Sequence, residues 1–188
     1  MLLRYCELFR VVWLAGRYGG GKTSLAVYLA GQLERSGAVR CLAANFALKG
    51  PWREVGVYDG FDDLIEDREG CAVVFDEAWS ELGIGATPQA VKKYLAFLRK
   101  RQSVLLMPSV IPLARTVRVL QVTRLFNGFS LGLPVWLYRY VVDVGSRKPE
   151  RSNFWWWYPQ RVWGEYDSKE VPGDTWRVYE RSGGIAIA

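Results

Sequence analysis

Residues 16–23 read Gly-Arg-Tyr-Gly-Gly-Gly-Lys-Thr and satisfy the pattern G-x-x-x-x-G-K-[ST] at every specified position. No other stretch restricts so tightly what the chain around it can be. Three consecutive glycines, Gly19, Gly20 and Gly21, allow backbone N–H groups to turn inward around an anion, because no Cβ stands in the way. With Gly16 they form the expected cradle for a β-phosphate. Lys22 is placed to reach the β and γ oxygens, and the Thr23 hydroxyl to ligate Mg²⁺. The helix starting here adds its first N–H groups, that of Ser24 included, and the positive end of its dipole. A chance match has a probability of roughly 1% at average residue frequencies. The flanks lower it further. Val11-Val12-Trp13-Leu14-Ala15 enters like a buried strand, and Leu25, Leu29 and Leu33 leave at helical spacing. The expected ligand is ATP, with Mg²⁺ as cofactor.

A chain of 188 residues suits one domain with a sizeable core. Its net charge of +6 comes chiefly from 18 Arg against 7 Lys, which favours a phosphate-rich or acidic partner. The absence of histidine excludes His-based catalysis and argues against a zinc site. Cys6, Cys41 and Cys71 are widely spaced beside apolar stretches and read as buried thiols in a reducing cytoplasm. Arg4, Glu7 and Arg10 interrupt any signal-peptide pattern. The uncharged stretch from Leu125 to Tyr138 is too short to span a bilayer as a helix.

In chain order, the pattern predicts a strand over 5–15, a helix from Thr23 to Ser36 stopped by Gly37, and a strand over Val39–Ala44 with Asn45 near its end. Pro51, Gly56 and Gly60 mark an irregular connection, followed by a short helix over Asp62–Arg68. Cys71-Ala72-Val73-Val74-Phe75 is the continuous apolar run of a central parallel strand. Thr87 and Pro88 open another helix, with Val91, Leu95 and Leu98 on its apolar face and Lys92, Lys93, Arg99 and Lys100 on the other. Strands are expected over Ser103–Met107, Val117–Leu125 and Val135–Val144. The aromatic segment Phe154-Trp155-Trp156-Trp157-Tyr158-Pro159 then has alternate residues suited to packing on a core, with a subunit or membrane-interface contact and base stacking as the alternatives. The fold class is α/β. Residues 1–150 form the expected core, and 151–188 an aromatic extension packed on it. Charge is segregated: ten acidic residues and one basic from Glu54 to Glu81, then nine basic and no acidic from Leu82 to Val142. Such a division suits a solvated face, nucleic-acid binding or contact between unlike subunit surfaces.

Hydrolysis needs a second carboxylate that activates water. Val73-Val74-Phe75-Asp76-Glu77 supplies the pattern, with Asp76 as the Mg²⁺-holding residue and Glu77 as general base. Its spacing from the glycine loop suggests that this strand neighbours the loop's own strand.

The succession of Gly16–Thr23, Asn45, Val73–Glu77, a basic helix and Val104–Ser109 resembles the zonular occludens toxin-like ATPases, which include the assembly ATPases of filamentous phages within the FtsK–HerA group. Trp155-Trp156-Trp157-Tyr158-Pro159, followed by Gly164-Glu165-Tyr166-Asp167, is similar to the aromatic segment closing that domain. The resemblance implies a P-loop NTPase with a mainly parallel sheet flanked by helices, extra C-terminal strands, and the Asp76–Glu77 strand beside the loop strand. It also implies a homo-oligomeric ring, a hexamer being favoured, that moves DNA during packaging, extrusion or transfer. Arg101, with Arg99 second, stands where the resemblance puts an arginine acting on a neighbouring subunit's nucleotide. Ser109, after Pro108, takes the place of the polar amide that senses the γ-phosphate, and its shorter side chain would need a water bridge. Many members continue into a transmembrane helix; this sequence does not, so recruitment from the cytoplasm to a membrane's inner face would go through a partner protein. Two alternatives stay open: a nucleotide-switched assembly module at a membrane complex that never touches DNA, and a small-molecule or nucleotide kinase.

Overall fold

A computed structural model describes residues 2–15, 19–49, 54–57, 69–77, 96, 98, 100–109, 120–131, 133–142, 150–157, 162, 165–166 and 179–180. The helix expected over 62–68 and most of the one expected after Thr87 lie outside these residues. The described elements are α1 (Leu2–Phe9), β1 (Val11–Ala15), α2 (Lys22–Arg35), β2 (Cys41–Ala44), β3 (Glu54–Val57), β4 (Cys71–Val74), β5 (Val104–Ser109), β6 (Leu120–Ser130), β7 (Leu133–Val142), β8 (Glu150–Trp157) and β9 (Tyr179–Glu180).

The strands make one sheet in the order β8-β7-β6-β1-β5-β4-β2-β3-β9. From β6 to β3 neighbouring strands run parallel. β7 and β8 extend one edge antiparallel, and β9 closes the other. The fold is mixed α/β. Every residue of β2, β4 and β5 is buried, as strands covered on both faces require. On one face Val12, Leu14, Leu42, Ala44, Ala72, Val74, Val104 and Leu106 join Leu25, Leu29 and Leu33 of α2 in a single apolar cluster. The alternating residues Val11, Cys41, Ala43, Cys71, Val73, Leu105 and Met107 are buried as well. α2 ends as its sequence dictates: Gly37 sits at φ 77° and the Ala38 N–H reaches back to the Leu33 carbonyl at 3.0 Å.

Four expectations need correction. Residues 5–9 are helical, and the first strand starts only at Val11. Leu2 and Cys6 are buried four residues apart, one helical turn, and Arg10 at φ 62° breaks the helix before the strand. The segment expected as irregular contains β3, which pairs with β2 through Val55, Gly56 and Val57. Cys41 and Cys71 are not thiols. They stand opposite each other in β2 and β4, Cα atoms 4.6 Å apart, and are joined by a disulfide, leaving Cys6 as the free buried thiol among the described residues. Finally, β4 is not beside β1. The apolar run of β5 pairs with both and separates them.

The uncharged stretch from Leu125 to Tyr138 belongs to the β6–β7 hairpin, whose register shifts between Arg124 and Phe126. Among the described residues no helix is long and apolar enough to cross a membrane. β8 pairs along its length with β7, so the aromatic residues 154–157 belong to a strand of the same sheet. Its alternation sends Phe154 and Trp156 toward α2 and leaves Trp155 56% exposed. Trp156 packs on Tyr28 of α2 with ring centroids 4.7 Å apart and on Trp136 of β7 at 5.4 Å.

Candidate functional site at the carboxyl ends of the strands

Parallel strands end on the same edge of a sheet, and in α/β folds that edge is where ligands are held. Here Ala15 at the end of β1, Asn45 just after β2, Asp76 just after β4 and Ser109 at the end of β5 gather at that edge. Ser109 is fully buried and in register with Ala15, so it lies at the root of the glycine loop.

Thr23 and Asp76 meet there, although β5 separates their strands. The Thr23 hydroxyl donates to Asp76 Oδ2 at 2.8 Å, from the first turn of α2. The Asp76 backbone is held by Asn45 on both sides: Asn45 Oδ1 accepts from the Asp76 N–H at 2.8 Å, and Asn45 Nδ2 donates to the Asp76 carbonyl at 2.9 Å. Asp76 Oδ1 accepts from the Glu77 N–H at 2.9 Å, and the same N–H reaches the Pro108 carbonyl at 3.1 Å. Glu77 takes a left-handed conformation, φ 48°. Burial pushes the Asp76 carboxyl above its usual range, while the bonds from Thr23 and Glu77 pull it down. A desolvated carboxylate beside a hydroxyl is a hard-oxygen pair suited to Mg²⁺, which keeps waters and phosphate oxygens for its other positions. Two protein ligands suffice for that arrangement. Among the described residues, no group of three or more His, Cys, Asp or Glu forms an all-protein metal cage.

Of the glycine loop, Gly16, Arg17 and Tyr18 lie outside the described residues. Gly19 and Gly21 have φ 66° and 72°, a conformation that favours glycine. The Leu25 N–H makes the first bond of α2, to the Gly21 carbonyl at 3.0 Å, so the N–H groups of residues 22–24 precede it. Lys22 is buried at this turn. Gly21 rests on the antiparallel edge of the sheet. A Cβ on Gly21 would stand 2.4 Å from Trp136 Cζ3, and the Tyr138 hydroxyl donates to the Gly21 carbonyl at 3.3 Å.

The Ser24 hydroxyl, expected with the phosphate-binding group, shares a hydrogen bond of 2.7 Å with the Tyr166 hydroxyl. Sequence reasoning missed the roles of Tyr166, Trp136 and Tyr138, because contacts over more than a hundred residues leave no local pattern. Asn45 was legible as the polar residue ending an apolar run and as a member of the motif succession, but not as the clamp on Asp76. Arg101 lies at the opposite, amino end of β5. Its carbonyl accepts from the Gly70 N–H at 2.7 Å, just before β4. The six residues of β5 put about 20 Å between that end and Ser109. Arg99 lies outside the described residues, as do Lys92 and Lys93. No protein-family model matches the chain, and no curated protein matches it.

Proposed function

We propose that this chain is a P-loop ATPase of the zonular occludens toxin-like kind, in the FtsK–HerA group, coupling ATP hydrolysis to DNA movement or virion assembly as a homo-oligomeric ring. The observation that carries the reading is the 2.8 Å bond between Thr23 and Asp76. Two motifs 53 residues apart, chosen from sequence for one Mg²⁺-nucleotide site, have their metal-binding side chains in contact. Coincidence gives no reason for that pairing.

In this reading the glycine loop and Lys22 hold the β and γ phosphates, and Thr23 and Asp76 hold Mg²⁺, which neutralises phosphate charge. Asn45 fixes the peptide on either side of Asp76, so the carboxylate keeps its aim. Glu77 takes the proton of the attacking water. Ser109, in register with Ala15, would need a water bridge to sense the γ-phosphate. Arg101 is too far from the site of its own chain to act there; the resemblance gives it a part on a neighbouring subunit's nucleotide, which a ring would supply.

The test is ATP turnover by wild type, Lys22→Ala and Glu77→Gln, with and without single- and double-stranded DNA. Lys22→Ala is expected to lose nucleotide binding. Glu77→Gln should keep binding and slow hydrolysis by about 10²–10⁴-fold. Wild-type turnover in Glu77→Gln refutes the assigned base. Turnover indifferent to DNA refutes the DNA part, and phosphate appearing on a small acceptor refutes the ATPase in favour of a kinase.

A further inference from the structure

Tyr166 closes a circuit around the site that the two motifs leave open. Its hydroxyl bonds to Ser24 at 2.7 Å, next to Thr23 in the first turn of α2. Its ring meets Phe46 edge-on at 5.9 Å, and Phe46 directly follows Asn45, the residue that clamps Asp76. The backbone of this segment is tied to the same place. Tyr166 bridges Leu48, the Lys49 N–H bonds to the Glu165 carbonyl, and Val162 is buried in the core. One closed path therefore runs from Asn45 to Asp76, Thr23, Ser24, Tyr166, Phe46 and back to Asn45. Each step is a hydrogen bond, a ring contact or a chain neighbour.

Resting on the reading of a Mg²⁺-nucleotide site, we infer that Tyr166 is a positioning residue: through Ser24 it fixes the first turn of α2 so that the Thr23 hydroxyl faces Asp76. A first helical turn has fewer intrahelical bonds than the turns after it, so it is where a helix frays. Thr23 must keep its aim in that turn while ligands come and go. Ser24 is almost fully buried, so water is a poor substitute for the Tyr166 hydroxyl. Burial, then the charge of Asp76, raise the phenol of Tyr166 above its ordinary range against the pull of Ser24, so it stays protonated and keeps its O–H at neutral pH.

Tyr166→Phe isolates the hydroxyl, because the ring against Phe46 remains. Full-length wild type, Tyr166→Phe, Ser24→Ala and the double variant are compared in two assays. The first is amide hydrogen exchange of residues 25–28, whose N–H groups bond back to the carbonyls of residues 21–24, without nucleotide. The second is ATP turnover over a Mg²⁺ titration. Each single variant is expected to speed exchange at these amides at least threefold while exchange in β4 and β5 is unchanged. Each should raise the Mg²⁺ concentration for half-maximal turnover several-fold and lower kcat about tenfold, since a displaced ligand costs orientation. The double variant should match the singles, because both remove one bond. Wild-type exchange in Tyr166→Phe, an unchanged Mg²⁺ dependence, or losses that multiply in the double variant would each overturn the inference. The exchange assay needs no nucleotide. A wild-type protein that hydrolyses no ATP refutes the proposed function and leaves the exchange result to decide Tyr166.

Discussion

Replacing Gly21 by Ala tests how the glycine loop is supported, and its cost can be worked from two separate terms. The first is backbone. At φ 72° a Cβ crowds the following carbonyl, which costs about 1–2 kcal/mol. The second is steric. The new Cβ would lie 2.4 Å from Trp136 Cζ3 and 2.8 Å from Cη2, so the indole must retreat by about 1 Å to reach ordinary contact. That ring is wedged against Tyr138 and Trp156, with centroids at 6.4 and 5.4 Å, and cannot retreat alone. Overpacking of this kind costs about 1–3 kcal/mol. Gly21→Ala should therefore lose about 2–5 kcal/mol. Gly19→Ala supplies the control, because φ 66° is nearly the same and nothing lies within 4 Å of its Cβ. Only the first term applies, about 1–2 kcal/mol. Urea unfolding without nucleotide measures both. With a slope of about 2 kcal/mol/M, the Gly21→Ala midpoint should fall roughly 0.5–1.5 M below that of Gly19→Ala. Equal midpoints would refute the contact between Trp136 and the loop. A Gly19→Ala protein as stable as wild type would refute the backbone term.

Asp76→Asn should reveal the cost of a buried carboxylate. Because the folded pKa is raised, native protein holds this proton more tightly than unfolded protein, so the carboxylate's penalty is absent below the ordinary value of 3.8 and sets in as pH rises through the folded pKa. The variant should match wild type near pH 3 and gain on it toward neutrality in metal-free urea unfolding; wild type gaining instead would show that the bonds from Thr23 and Glu77 outweigh burial. Trp156→Ala should lose about 3–5 kcal/mol, since the ring fills the space between α2 and β7. Trp155→Ala, one residue away on the open face, should stay within about 0.5 kcal/mol of wild type in the same thermal or urea assay.

The elements legible in the sequence were those whose physics is local. The apolar runs of β1, β2, β4 and β5 are strands, and Leu25, Leu29 and Leu33 do form the buried stripe of α2. The alternation expected in the aromatic segment is seen at Trp155, exposed, and Trp156, buried. Strand order was not legible. β4 and β5 are similar apolar runs, and no residue in either says which one takes the place next to β1. Cys41 and Cys71 paired for the same kind of reason, since their encounter depends on β2 and β4 being neighbours in register. α1 was missed because a two-turn helix shows only Leu2 and Cys6 as its buried stripe, and an apolar strand follows within two residues. At the site, motif residues such as Thr23 and Asp76 could be named in advance. The parts played by Asn45 and Tyr166, which bond to Asp76 and Ser24, could not, because a buried amide or phenol has no fixed spacing from what it supports.

The left-handed backbone at Glu77 has a consequence for how this chain could drift. A side chain in that conformation costs about 1–2 kcal/mol that glycine would not incur, and both bonds of the Glu77 N–H, to Asp76 and to Pro108, would survive the exchange. Selection for folding alone therefore pushes position 77 away from glutamate, toward glycine or asparagine. On the proposed function, selection for turnover would hold it in place. A saturation library at this codon, sorted once for soluble yield and once for ATP hydrolysis, should separate into two populations, and the residues that differ between them would mark where stability has been given up for chemistry.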